Sequence, residues 1–437
     1  MIMKRILTLC LFFALATWAG LAQIVCHVEG ELMSNMYGNN VVICPVETDL
    51  RVNDDPSFHV RAVNGKFSKT IECDYIKKYQ VFLLNEYRTG ACHFGSFFAE
   101  NGTVQVKLYT DQDHFVQSDG EQWRIQHSLD SLLEEQFGEI HDLYKLLYDK
   151  ERQSEIYTAD YLSTRDNLNK ELQEEYNSNN PQQARIDLLN SAIHQLQKNP
   201  NRFTPKGLEV FNKRKQLSKA WTDFEHQYYA EHPMLESLYK TLDAFNMLKN
   251  SDVYVNFDPE PYERLIALYH DKLINYFPDH PIHEQIAIAE AGYTLQPGKP
   301  YIDYNVRNTD GQLVPISSLI KGKVALIDLW ASWCGACRVH SINMIPIYEK
   351  YKDKGFTVIA IARERNRQAM EKAMKKDGYP WPSYLEPIND ENGVWSRHGV
   401  RGGGGAFVLV DRDGTILSTA TDAKELEPLI RKALGLE

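Results

Sequence analysis

The chain has 437 residues, 24% of them charged, with 59 acidic against 48 basic side chains and a formal net charge of −11. That balance, with no basic stripe interleaved with aromatics, excludes nucleic acid as a partner; the Lys352–Asp353–Lys354 and Lys372 to Lys376 clusters read as solvated helix faces. At about 100–200 residues per domain, the length predicts two to three domains.

Residues 1–22 read as a cleavable signal peptide. Lys4–Arg5 form the positive n-region, Ile6 to Ala16 the apolar h-region, and Gly20–Leu21–Ala22 a small-residue cleavage site before Gln23. No later stretch reaches the roughly 18 apolar residues that a bilayer span needs, so no stable membrane insertion is expected after cleavage. Neither Cys10 nor Cys26 follows the small residue that precedes a bacterial lipid-anchor cysteine.

Residues 23–114 are expected to form a β-rich domain. Short β-type runs (Val25 to Val28, Val41 to Val46, Phe58 to Val63, Gln80 to Leu84, Val104 to Leu108) alternate with Asn39–Asn40, Asn64–Gly65 and Asn101–Gly102, which predicts a small antiparallel sandwich with Asn101–Gly102 as a hairpin turn. Cys26, Cys44, Cys73 and Cys92 all lie here. In an oxidising compartment that even number allows one or two structural disulfides, the alternative being four reduced thiols packed as small hydrophobes.

Residues 115–292 are expected to be a helical domain or spacer. Leu129, Leu132, Leu133, Leu143, Leu146 and Leu147 fall largely at helical intervals, as do Ile186, Leu189, Ile193 and Leu196, while Pro181, Pro205, Pro233, Pro259, Pro261, Pro278 and Pro281 divide the segment into several helices. It carries no cluster with evident chemistry. Gln296–Pro297–Gly298–Lys299–Pro300 reads as a hinge into the last domain, residues 293–437. There strands and helices alternate: a hairpin around Asn308 to Gly311, a buried strand ending at Trp330, a helix from Cys334 to Lys352, a strand Phe356 to Ala362, a helix through Gln368 to Lys376, strands Ala406 to Val410 and Ile416 to Thr419, and a final helix from Ala423.

The chemistry concentrates at Trp330 to Arg338, where two cysteines, Cys334 and Cys337, follow the apolar strand directly. A cysteine capping the next helix meets the unpaired N–H groups and the positive end of the macrodipole, so its pKa falls below the free value of about 8.5. Cys334, the outer cysteine, is therefore the expected nucleophile, and Cys337, one turn deeper, resolves the mixed disulfide. A CxxC pair is also half of a zinc site, but zinc calls for a second close-spaced pair, and the other mature cysteines are widely spaced. No metal or cofactor is expected.

Residues Gly298 to Leu436 resemble the exported thioredoxin-like thiol-disulfide oxidoreductases of the TlpA/ResA type. The likeness rests on Pro297–Gly298–Lys299, Asp310–Gly311, Leu319, Lys321–Gly322–Lys323, Trp330 to Arg338, Tyr348 to Tyr351 with Gly355, and Asp411 to Gly414. The first two segments look like the β-rich domain of unknown function and helical spacer often fused to such modules. The resemblance implies a multidomain chain with a C-terminal α/β thioredoxin fold, an N-terminal β-sandwich-like domain and a central α-helical segment. It also implies Cys334 as attacking thiolate, Cys337 as resolving thiol and Asp328 as the buried carboxylate that takes the resolving proton. Trp333 beside the dithiol, with Gly404 and Gly405 opposite it, are the expected substrate-binding residues. The implied partners are protein disulfide substrates, apocytochrome c among them, and a membrane thiol electron donor, in the periplasm or cell envelope.

Three departures stand out. Gly335–Ala336 replaces the common Gly-Pro dipeptide. His340 and Ile342 stand where relatives carry Glu and Pro. Gly402 to Gly405 replaces the loop that holds a cis-proline in relatives. A cis peptide without proline costs about 2.5–4 kcal/mol, so this loop must dock a chain another way, and glycine allows close backbone approach. Two other functions compete with a disulfide reductase: a thiol peroxidase, against which stands Ala331 where peroxiredoxins carry Thr, and a non-catalytic envelope binding protein with a degenerate thioredoxin domain.

Overall fold

The computed structural model describes residues 23–34, 37–48, 50, 54–90, 92–178, 182–249, 257–308, 311–388, 390, 393–400 and 404–436. The expected signal peptide, the turn residues Thr309 and Asp310, Pro181, and the loop residues Gly402 and Gly403 lie outside them. His127–Thr294 forms one compact unit; the segments up to Gln126 and from Leu295 make up the other.

Near the N-terminus, eight strands build two four-stranded sheets: β1 (Ile24–Leu32), β2 (Asn40–Pro45), β3 (His59–Arg61), β4 (Lys66–Cys73), β5 (Lys77–Leu83), β6 (Gly95–Ala99), β7 (Gly102–Leu108) and β8 (Phe115–Ser118), in orders β4-β1-β7-β8 and β3-β2-β5-β6. Period-two alternation turns Val104, Val106 and Leu108 of β7 inward, where they meet Val28, Ile43, Val81 and Phe97 from both sheets in one core. Asn64 and Gly65, at φ of 53° and 75°, make a two-residue turn closed by hydrogen bonds between Val63 and Lys66.

Several expectations fail in this region. The sandwich is not purely antiparallel, because β7 runs parallel to β1. Asn101–Gly102 is not a hairpin turn either: it carries the chain from the sheet of β6 to that of β7, and the Asn101 side chain accepts the Val25 N–H at 2.8 Å. The β-rich part also continues past residue 114, through β8. All four cysteines are free, so the expectation of one or two disulfides is not met. Cys26 lies in the inter-sheet core, whereas Cys44 lies on the opposite face of its sheet, beside Phe82 and Leu84. On β4 it is Ile71, not Cys73, that stands opposite Cys26.

The helical unit contains most of α1 (Glu121–Phe137), then α2 (Glu139–Tyr148), α3 (Ala159–Tyr176), α4 (Gln183–Lys198), α5 (Pro205–Glu231), α6 (Leu235–Lys249), α7 (Glu260–Asp271) and α8 (Ile282–Tyr293). Prolines punctuate the starts as the sequence suggests: Pro205 opens α5, and Pro259 and Pro281 cap α7 and α8. α6 is buried nearly all round, packed on α7 and α8.

In the C-terminal domain a short hairpin, β9 (Asn305–Arg307) and β10 (Leu313–Pro315), precedes β11 (Val324–Trp330), α9 (Gly335–Tyr351), β12 (Phe356–Glu364), α10 (Arg367–Asp377), β13 (Ser383–Pro387), β14 (Ala406–Val410), β15 (Ile416–Ser418) and α11 (Ala423–Ala433). The sheet order is β13-β12-β11-β14-β15, with β11, β12 and β13 parallel and β14 and β15 antiparallel to their neighbours. This is the thioredoxin arrangement. Every residue of the central strand β11 is buried, as its unbroken apolar run suggests; burial of each of Leu326, Ile327 and Leu329 contributes roughly 1.5–3 kcal/mol. The segment read as a hinge is stitched down instead: Gly298 N–H donates to Ile416 O, Ile416 N–H to Lys299 O and Tyr301 N–H to Gly414 O, each at 2.8 Å.

Candidate active site

β11 ends at Trp330, and Ala331 to Trp333 turn the chain into α9, whose N-cap is Cys334. Cys334 keeps an extended backbone (φ −91°, ψ 97°) and its Sγ accepts the Cys337 N–H at 3.3 Å. An oxygen-bearing side chain does this at most helix starts; here a sulfur takes the orphan donor. One turn on, Cys337 reaches back, and the two sulfurs are joined in a disulfide with the Cα atoms 5.4 Å apart. Cys334 is hardly more accessible than Cys337, at 6% and 5% exposure, so in the disulfide state the outer position expected for Cys334 is not a matter of surface area. Gly335, Ala336 and Trp333 form the exposed rim.

Behind the pair lies Asp328. It sits on β11, fully buried, and burial pushes its carboxyl up to about 7 although the Ser341 hydroxyl pulls it down. Ser341, one turn beyond Cys337 on α9, has its Oγ 2.8 Å from Asp328 Oδ2 and 3.1 Å from the Cys337 carbonyl. One hydroxyl proton serves one of these acceptors at a time, so Ser341 couples the carboxyl to the backbone of the resolving cysteine. Asp328 Oδ1 has no hydrogen-bond partner among the described residues.

Opposite the dithiol stands the glycine loop. The Gly405 N–H donates to Cys337 Sγ at 3.0 Å, and a Cβ at this position would lie 2.0 Å from the Leu329 carbonyl oxygen and 2.9 Å from that sulfur, so only glycine fits. Gly404 is exposed, with nothing within 4 Å of where its Cβ would be. The described residues contain no cis peptide bond.

Several residues that sequence reasoning passed over hold the loop into α9. The Ser332 backbone N–H and hydroxyl both donate to the buried Glu364 carboxylate at the end of β12, the hydroxyl at 3.0 Å. Arg338 forks onto Asp377, with Nε–Oδ2 and Nη2–Oδ1 both 2.6 Å, and its Nη1 lies 3.4 Å from Ser332 O. This pairing holds the Asp377 carboxyl below its ordinary range.

Trp333 donates its indole N–H to Arg363 O at 3.2 Å and lies 6.4 Å, centroid to centroid, from Trp395. Trp395 is pinned in turn through its indole to Ile361 O at 3.0 Å, and through its backbone N–H to Glu386, whose carboxyl burial raises to about 7. No motif flagged Glu364, Asp377, Glu386 or Trp395, since each reaches the site from a distant stretch of chain. His340, which stands where relatives carry Glu, meets the edge of Phe407, with ring centroids 6.3 Å apart.

Residues 296–433 match the family described as Redoxin. Among curated proteins, a thiol-disulfide oxidoreductase ResA of Bacillus cereus is 25% identical over 135 residues, covering 31% of this chain and 75% of the relative. A thiol:disulfide interchange protein DsbE of Pseudomonas fluorescens is 30% identical over 120 residues, 27% of this chain and 63% of the relative. A probable phospholipid hydroperoxide glutathione peroxidase of Mesembryanthemum crystallinum is 30% identical over 165 residues, 32% of this chain and 96% of the relative.

Proposed function

We propose, from the premise that the C-terminal domain belongs to the redoxin family and is a thiol-disulfide oxidoreductase, that this chain is exported and reduces disulfides in cell-envelope proteins through Cys334 and Cys337. The observation that carries the reading is the Cys334 sulfur at the N-cap of α9, taking the Cys337 N–H and bonded to Cys337 Sγ.

In the reduced enzyme the Cys334 thiolate attacks a substrate disulfide, and one substrate sulfur leaves as thiolate. Asp328, behind the pair, takes the proton of Cys337 by way of water or the Ser341 hydroxyl. The Cys337 thiolate then attacks Cys334 Sγ, the second substrate thiolate departs, and two electrons have passed to the substrate. Trp333 offers an exposed apolar face to the incoming chain, and Gly404, exposed and with nothing within 4 Å of where its Cβ would be, lets its backbone approach. Neither residue of the Gly335–Ala336 dipeptide has a polar side chain to stabilise the Cys334 thiolate, which favours a reducing poise. Sustained turnover in an oxidising compartment requires a membrane thiol donor, and apocytochrome c is one target class.

The test is equilibration with glutathione buffers, with Cys334→Ala separating the dithiol from the N-terminal cysteines. A potential near that of thioredoxin, about −270 mV, supports a reductant; one near −120 mV would make the protein an oxidant, and no reversible couple would leave the binding-protein reading. A peroxidase is the second reading, supported by the plant relative named as one. Consumption of hydroperoxide with the reduced dithiol as sole electron source would favour it.

A further inference from the structure

We propose that the Gly405 backbone N–H is a catalytic donor to Cys337: it holds the negative charge on that sulfur when the enzyme disulfide is re-reduced. The inference rests on the dithiol reading above and adds a group to it. To regenerate the enzyme, a donor thiolate attacks Cys334 Sγ, a new bond forms between donor sulfur and Cys334, and the Cys334–Cys337 bond breaks with its electron pair on Cys337. Cys337 is the leaving group. Its rate of departure depends on how well its thiolate is stabilised.

That stabilisation is a real problem at this position. Cys337 is only 5% exposed and has a buried carboxyl, Asp328, coupled to its backbone through Ser341. The donor at the helix start is already engaged elsewhere, because the Cys337 N–H points at Cys334 Sγ. The Gly405 N–H meets the need: it lies 3.0 Å from Cys337 Sγ in the disulfide state, before any charge has developed, so no reorganisation is required as the bond breaks.

The placement follows from the sheet. Ala406 pairs with Leu329 in the β14–β11 ladder, so the residue just before it lies over the end of β11 beside α9. A side chain there would strike the Leu329 carbonyl, and proline would bring no N–H at all. Glycine is the residue that allows both the close approach and the donor. The departure from a proline-bearing loop is thereby a change of chemistry at the resolving sulfur as well as of backbone shape.

The experiment is amide NMR on the full chain labelled with 15N-glycine, reduced, across the thiol titration range. Asp328→Asn is used as background, since Asp328 is the carboxyl facing Cys337 through Ser341. Of the other charged neighbours, Arg338 is held against Asp377, and His340 meets Phe407. The Gly405 resonance is identified by its loss in Gly405→Ala. The expected result is a downfield Gly405 proton that moves with the Cys337 thiolate and stops moving in Cys337→Ser. A resonance that does not follow the thiol, or moves equally in Cys337→Ser, overturns the proposal.

In stopped flow, Gly405→Ala, whose methyl would meet the Leu329 carbonyl and push the amide away from Cys337 Sγ, should, with unchanged circular dichroism, be reduced by dithiothreitol about ten- to a hundredfold more slowly, the weakening of one hydrogen bond to a charged group. An unchanged rate also overturns the proposal. If Gly405→Ala does not fold, the amide is assigned by a triple-resonance walk back from Ala406, the residue that follows the glycine run, and the titration decides. A dithiol without a reversible couple defeats the reductase reading but leaves the amide measurement intact, so the two failures are distinguishable.

Discussion

The β-rich region and the thioredoxin domain each contain buried cysteines, yet they treat sulfur in opposite ways. Cys26 and Cys44 are fully buried on strands, Cys26 is raised to about 11 chiefly by burial, and Cys92 is raised to about 12 by burial and then by Glu86. The Glu100 backbone N–H at Cys26, and the Gln80 amide and Lys69 ammonium at Cys44, offset only part of that cost, and no helix start or bonded sulfur adds to them, so these thiols are inert packing groups. Cys334 and Cys337 are nearly as inaccessible, but they are bonded to each other at the start of α9, and each sulfur also receives a backbone N–H, from Cys337 and Gly405 respectively. Burial alone does not make a cysteine reactive or silent. The helix start and the partner sulfur decide.

The strongest way to break this comparison is to remove the cysteines in turn. Cys334→Ala and Cys337→Ala should each abolish turnover of a protein disulfide, whereas Cys26→Ala and Cys44→Ala leave it unchanged; loss of turnover on removing Cys44 would defeat the distinction.

Next comes Asp328→Asn. It should slow resolution of a trapped mixed disulfide about a hundredfold and flatten its rise with pH near 7, read by stopped flow. Stability supplies a signed check. Folded Asp328 titrates near 7 against an ordinary 3.8, so the folded state holds its proton more tightly and the wild type loses stability as pH rises between those values. Asparagine escapes that loss. Asp328→Asn should match the wild type near pH 4 and exceed it by roughly 4 kcal/mol at pH 8 in denaturant unfolding of the C-terminal domain.

Smaller effects sharpen the contrast from the side of the scaffold. Glu364→Ala strips both acceptors from Ser332 and should cost about 1–3 kcal/mol, with roughly tenfold slower turnover as the loop into Cys334 loosens; Glu364→Gln should recover most of both. Denaturant titration and steady-state kinetics on the same preparations separate the two effects. Smallest is Cys44→Ala, expected to lose about 1 kcal/mol of stability with no change in the potential of the dithiol.

Much of the C-terminal domain was legible because its signals are local. A continuous apolar run predicted β11, a cysteine just before the Gly- and Pro-free stretch Ala336 to Ile345 predicted the cap of α9, and Asp411 to Gly414 marked the turn before β15. The N-terminal region was read less well. Its strands β4, β6 and β8 lacked clear signals, and the Asn–Gly pair at 101–102 carries the same local preference whether the chain turns back on itself or crosses to another sheet. The likeness to a hinge at Gln296–Pro300 failed for a related reason, since proline and glycine mark a break in regular structure without saying what the backbone bonds to.

The sequence by itself determined the chemistry available here: two sulfurs one helical turn apart, a strand to deliver them, and a carboxylate on that strand. These are fixed by spacing along the chain, which sets the period of a helix or a strand whatever surrounds it. Only the tertiary structure decided which distant groups meet them. Glu364 on Ser332, Ser341 between Asp328 and Cys337, and the Gly405 N–H on Cys337 Sγ each join separate elements through hydrogen bonds. Such contacts depend on strand order and register, which arise when the whole sheet and its covering helices exclude water together.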